Sequence, residues 1–323
     1  MRILKIPLSL ALLALLTCPA QVLAQKYPEK NIRLMVGYQT GVVYMLALLI
    51  ADKLRESVGQ TIVPDFRTGA AGNIALEVAA KAPPDGYTLV VTSTGFVISP
   101  HLFPKLGYDP FKDFTPITLL AAVPNVMVVH PSVPAKSLGE LVKLAKAHPG
   151  KLNFGSGGIG SHAQLGSELF KSLNKINIVH VPYKGVVIAM TAMLSGEVDM
   201  VTSSLPATIP LVNSGKIRAL AVMAPARVAT LPNVPTTAEA GMPELVVITW
   251  WGLLAPAGLK PDIVDYLNAA VVKLMNSPEN KSKLAQVDLD GLTSTPADFA
   301  KFMRTEYDKW GRVIREANIS VQQ

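Results

Sequence analysis

The chain is 323 residues long, 50% hydrophobic and 16% charged, enough apolar material for one large core or two moderate ones. Its formal charge of +7 falls to +5, with 28 basic residues against 23 acidic, once Arg2 and Lys5 are set aside with an N-terminal leader. The remaining Lys and Arg are dispersed and spell no nucleic-acid-reading module, which speaks against nucleic acid and modestly for a small anionic ligand.

Residues 1–24 carry basic residues, then the uncharged run "IPLSLALLALLT", then "VLA" ending at Ala24, the pattern of a cleavable secretory signal. The run is short of the roughly 20 apolar residues a membrane span needs, and no later stretch supplies one, so the expectation is a secreted, soluble mature protein. The single cysteine, Cys18, lies in this leader, which leaves no thiol for disulfides, metal or nucleophilic catalysis. Lipidation of Cys18 is the competing reading, with Thr17 where a smaller residue is preferred.

Past the leader, short β-branched runs alternate with longer amphipathic ones, as in an α/β fold with largely parallel strands. Residues 32–38 read as a strand, 42–59 as a helix closed by Gly59, 60–66 as a strand, 72–86 as a helix stopped by Pro83-Pro84, and 87–93 as a strand: a βαβαβ start. Residues 114–131 read as a long extended crossing. A second series follows, with a helix over 137–150 opened by Ser137 and Glu140 in capping-box spacing, strands over 151–155, 176–183, 198–204 and 216–224, and helices over 161–173 and 187–196. An apolar extended run at 250–258 and helices over 261–277 and 295–317 complete the chain. Two α/β lobes joined by strands are expected, with the ligand outside the carboxyl ends of the strands.

The stretch "NFGSGGIGSHAQL" carries Gly155, Gly157 and Gly160 in G-x-G-x-x-G spacing ahead of a helix opened by Ser161 and Gln164. A dinucleotide site needs an acidic residue about 20 positions on, where "NKINIVHVPY" has none, and a P-loop needs Lys-Ser or Lys-Thr after the last glycine. A carboxylate seat at free helix amides and a plain glycine-rich connection both remain. Other strand ends share the chemistry: Tyr38, Thr40 and Gly41 after the first strand, Thr92, Ser93, Thr94 and Gly95 after the third, and Thr202, Ser203 and Ser204 after another. His180, Tyr183 and Lys184 follow in "VHVPYKG". The five histidines are scattered without metal-binding spacing, no G-x-S-x-G elbow occurs, and adjacent Ser161 and His162 do not form a dyad, so neither catalytic residues, cofactor nor metal is expected.

The segments "YPEKNIRLMV", "GAAGNIALEVAAKAPPDGYTLVV", "LGYDPFKDFTPITLLA", "HPGKLNFGSGGIGSHAQLGSELF", "VHVPYKG", "LPNVPTTAEAG" and "WWGLLAPAG" resemble, in order, the Bug-type periplasmic receptors of tripartite tricarboxylate transporters. The resemblance implies a type II periplasmic-binding-protein fold, with lobe 1 over 25–125 plus 246–323, lobe 2 over 126–245, two crossing strands and a ligand cleft between. It further implies a non-enzymatic monomer that binds a small organic carboxylate and presents it to membrane transporter subunits. A receptor feeding a sensor kinase and a secreted enzyme on the same fold are the alternatives. Ligand contacts are expected from Tyr38, Thr40, Gly41, Tyr44, Thr92, Ser93, Thr94, Ser156, Gly157, Gly158, Ser161, His162, Tyr183, Ser203 and Ser204. Ser156, Gly158, Gly160 and Ser161 match the family's S-x-G-x-G-S pattern. The first loop departs: "GYQTGVVYM" puts Tyr44 where the resemblance expects an aspartate, and Ser203 falls where another is frequent. Loss of two carboxylates removes the partners of an ammonium group, and Val42, Val43 and Tyr44 favour a ligand with an apolar body.

Overall fold

The computed structural model describes residues 27–103, 105–287 and 289–320; the expected leader, residues 1–24, lies outside them. In chain order the elements are β1 (Ile32–Val36), α1 (Gly41–Val58), β2 (Ile62–Phe66), α2 (Asn73–Ala80), β3 (Thr88–Ser93), α3 (Gly95–Leu102) and β4 (Phe114–Val129). They continue as α4 (Leu138–Ala147), β5 (Asn153–Ser156), α5 (His162–Asn174), β6 (Val179–Pro182), α6 (Val186–Leu194), β7 (Met200–Ser204), α7 (Leu205–Asn213) and β8 (Arg218–Val222). The chain closes with β9 (Ile248–Pro256), α8 (Pro261–Met275), α9 (Pro278–Ala285), β10 (Asp290–Gly291) and α10 (Pro296–Glu316).

The strands run in the order β2-β1-β3-β9-β4-β7-β5-β6, with β8 and β10 also paired to β4. β1 pairs in parallel with β2 and β3, and β5 with β6 and β7, so each end of the sheet is a parallel unit whose crossovers are helices. Two antiparallel strands join these ends. β9 pairs with β3 and with the first part of β4, while residues 125–129 of β4 pair with β7. The result is the expected pair of α/β lobes connected through β4 and β9.

β4 ties the two lobes together. Its side chains alternate between two faces, and both faces are buried: Met127 and Val129 enter one core, Val126 and Val128 another. Asn125, at the point of crossing, donates from Nδ2 to Val247 O and to Thr249 Oγ1, both at 3.1 Å, tying β4 to the chain entering β9. The long α10 packs against α3 in one lobe and reaches the other through Ser172, whose hydroxyl donates to Glu316 Oε2 at 2.8 Å.

Two helices appear where the sequence reading had strand-end loops, α3 at "GFVISPHL" and α7 at "LPATIPLVN". Their prolines resemble helix breakers: Pro206 occupies the first turn of α7, where a missing N–H has no intrahelical acceptor to disappoint, while Pro100 and Pro210 lie inside α3 and α7 and each costs its helix a backbone hydrogen bond. The second helix is shorter than expected, Asn73–Ala80, and ends ahead of Pro83.

Candidate functional site

A cavity of about 330 Å³ opens where the two lobes meet. One wall comes from β5, β7 and the helices that follow the strands of that lobe: Gly157, Ser161, His162, Ala163, Val186, Thr202, Ser203, Ser204 and Pro206. The facing wall comes from α1, β4, β9 and the segment before β10: Val42, Val123, Thr249, Trp251, Val287 and Leu289, with Asn125 at the junction. Among the described residues no Lys, Arg, Asp or Glu lines it.

The first wall is built from helix beginnings. His162 and Ala163 open α5, Val186 opens α6, and Ser204 with Pro206 opens α7. First-turn N–H groups have no intrahelical acceptor, and neither α6 nor α7 receives a side-chain cap. α4, α9 and α10 each begin with a capping hydroxyl, from Ser137, Ser277 and Thr295, whereas α1, α2, α3 and α8, like α6 and α7, begin without one. Uncapped helix starts facing one cavity supply oriented donors and partial positive charge.

Two side-chain atoms on the same wall are buried without a partner, Ser203 Oγ and His162 Nε2. Ser203 itself is 2% exposed. An unpaired buried polar atom is costly, so these two atoms are unmet hydrogen-bonding capacity on this wall.

The glycine loop is held in place by a network that fixes its own protonation. Gly160 N–H donates to Gln164 Oε1 at 2.7 Å, which orients the amide so that Nε2 donates to His180 Nδ1 at 3.3 Å. His180 therefore carries its proton on Nε2 and donates it to Ser156 Oγ at 2.6 Å, while Gly158 N–H donates to the same oxygen at 3.1 Å. Ser161 caps α5 by accepting from Gln164 N, as its spacing predicts, but the reciprocal bond goes to Gly160 rather than to Ser161. Glycine is required at 157 for space: a Cβ there would lie 2.9 Å from Val186 N at the start of α6. At Gly158 it is required for conformation, with φ at 110°.

Of the residues expected at the ligand, the structure brings together Gly157, Ser161, His162, Ser203 and Ser204 on the cavity wall. Ser156 and Gly158 support that wall through the network just described. Tyr38, Thr92 and Ser93 border a separate crevice of about 10 Å³, and the Tyr38 hydroxyl donates to Ala71 O at 2.6 Å. Thr94 clasps β9, its hydroxyl accepting from Trp250 N at 3.0 Å. Tyr44 packs on Phe66 with ring centroids 5.5 Å apart, Tyr183 donates to Glu197 Oε1 at 2.8 Å, and Thr40 and Gly41 are exposed at the start of α1 without lining the cavity. Val123, Asn125, Val186, Thr249, Trp251, Val287 and Leu289 line it without a signal in the sequence, because an apolar side chain facing a cavity and one facing a core are written alike.

Burial pushes both nearby histidines down to about 4, with Lys309 adding to the effect at His162 and Lys171 at His180. A depressed folded-state value means that the unfolded chain binds the proton first. Stability is then intact above about pH 6.5 and is lost as pH falls toward 4. The melting temperature is expected to drop between pH 6.5 and 4.5, above the range in which carboxylates titrate, and to drop less in His162→Gln. A flat profile over that window in the unchanged protein would contradict the burial of these rings.

The comparisons agree with the architecture. The family profile described as "Tripartite tricarboxylate transporter family receptor" matches residues 46–319. Protein BugT of Bordetella pertussis is 32% identical over 94% of this chain and 94% of its own length. The R. palustris protein Rpa4515, solved with adipate, is 35% identical with a TM-score of 0.76, covering 91% of this chain and 100% of that one. MatC from Rhodopseudomonas palustris, solved with bound malate, is 31% identical with a TM-score of 0.72, covering 89% and 100%. With the two-lobe sheet and the interlobe cavity in place, the chain belongs to the Bug-type receptors of the tripartite tricarboxylate transporter family.

Proposed function

We propose that this protein captures a small organic carboxylate in the interlobe cavity, holding the anion with neutral donors alone. The observation that carries the reading is Ser203 Oγ, buried and unpartnered on a wall of uncapped helix starts. Helix amides and hydroxyls replace the anion's water in a closed cleft, and closure draws its free energy from the difference in affinity between open and closed states. The moving units are residues 25–125 with 246–323 and residues 126–245, hinged on β4 and β9. The receptor acts in the periplasm as a monomer, delivers its ligand to membrane transporter subunits, and performs no turnover. That two relatives were solved with adipate and malate supports the ligand class.

A thermal-shift panel of organic acids and their methyl esters tests this. Ligands that bind only the folded state raise the melting temperature by mass action, so acids are expected to stabilise and esters are not. Ser203→Ala should weaken the best acid by about 1–2 kcal/mol in calorimetry. Equal shifts from acids and esters, or none from either, would sink the reading.

A further inference from the structure

The cavity is sorted by polarity, one lobe to each kind of wall. Residues from the starts of α5, α6 and α7 and both orphaned polar atoms lie on one side. The other side presents the side chains of Val42, Val123, Trp251, Val287 and Leu289. Among the described residues its hydroxyl is that of Thr249, which accepts from Asn125. Thr40 and Gly41, which begin α1 on that side, do not line the space, so α1 reaches it through Val42 alone.

We propose that the ligand is a monocarboxylate with an apolar body, its carboxylate seated at Ser203 and the helix starts and its tail against the Val42, Val123 and Trp251 wall. The inference rests on the carboxylate-receptor reading above and narrows it. A dicarboxylate would press its second charge onto mostly aliphatic and indole surface, where among the described residues only the Thr249 hydroxyl, the Trp251 indole N–H and the start of α1 can donate, fewer partners than the water it gives up. An amino acid would bring an ammonium group to a cavity without a carboxylate among its described residues. An apolar tail instead packs on the already buried Val123, Trp251 and Leu289 and covers the half-buried Val42 and the exposed Val287, so the hydrophobic wall favours this ligand class.

Three six-carbon probes separate the possibilities: hexanoate, adipate and 6-aminohexanoate, which share a chain and one carboxylate and differ at the far end. Calorimetry on the mature protein should show hexanoate binding at least about tenfold more tightly than adipate, and no binding of 6-aminohexanoate. Val42→Thr, which keeps the side-chain shape, should weaken hexanoate several-fold and not weaken adipate, whose second carboxylate gains a donor. Of the three tryptophans, Trp250 and Trp310 are fully buried, so Trp251 reports the tail: hexanoate should shift the emission, and Trp251→Phe should abolish that shift. Adipate binding as tightly as hexanoate would overturn this inference while leaving the carboxylate receptor standing, as would an equal loss of both acids in Val42→Thr. No response to any of the three would sink both.

Discussion

Replacement of Ser203 by aspartate is expected to lower affinity for organic acids at least 100-fold while leaving the protein folded. Ser203 is the penultimate residue of β7, one before the cap of α7, is 2% exposed, and has no hydrogen-bond partner for its hydroxyl. An aspartate there is an anion delivered by the chain itself. It takes the donors that the ligand uses, and two like charges about 5 Å apart repel by about 3 kcal/mol at an effective dielectric near 20. A 100-fold loss corresponds to about 2.7 kcal/mol, so repulsion alone reaches it before lost hydrogen bonds are counted. Folding is spared because the start of α7 favours negative charge. Calorimetry gives the affinity and a melting curve the stability: unchanged acid binding in Ser203→Asp would remove Ser203 from the site, and a collapsed melting temperature would mean that the position is structural. The same carboxylate supplies the counter-charge that an ammonium group lacks among the described residues of the cavity, so weak binding of 6-aminohexanoate by the variant would show that charge, rather than shape, excludes it.

The alternation of strands and helices was legible because each period has one physical cause, a buried face at every second or every third to fourth residue. The start of α5 was legible because Ser161 and Gln164 are local: a hydroxyl three residues before an amide reaches it whatever the rest of the chain does. The site divides along the same line. Gly157, Ser161, His162, Ser203 and Ser204 carry their chemistry in short stretches, and all five reach the cavity. Sequence cannot distinguish a free hydroxyl from one already engaged by a distant partner. Thr94 is met by Trp250, 156 residues on, and Ser156 by His180, 24 residues on. The apolar wall was half visible, since Val42 stands in the altered first loop. Trp251 and Leu289 become its neighbours only through the pairing of β9 with β4 and the return of the chain to β10. α3 and α7 were hidden by prolines whose harm depends on their place in the helix.

Gly252→Ala is expected to be the most destabilising single methyl added to this fold. Gly252 lies in β9 between Thr92 of β3 and Leu119 of β4, at the centre of the strands that join the lobes. A Cβ there would sit 2.2 Å from the Cζ and 2.7 Å from the Cε1 of Phe299, a fully buried ring of α10. The ring has little room to retreat, because Trp250 stands against it edge-on with centroids 5.6 Å apart and is itself fully buried. Overpacking of this kind costs about 3 kcal/mol, which in a chain of this size lowers the melting temperature by roughly 5 °C. Phe299→Leu in the same chain should return part of that loss, and the coupling in a double-mutant cycle measures how much of it is the clash. Additive losses would place the strain in the backbone of β9 instead. The distinction bears on the cavity, since Trp251 is the next residue along the strand: a ring that moves leaves the ligand wall in place, whereas a strand that moves carries Trp251 with it and weakens acid binding along with stability.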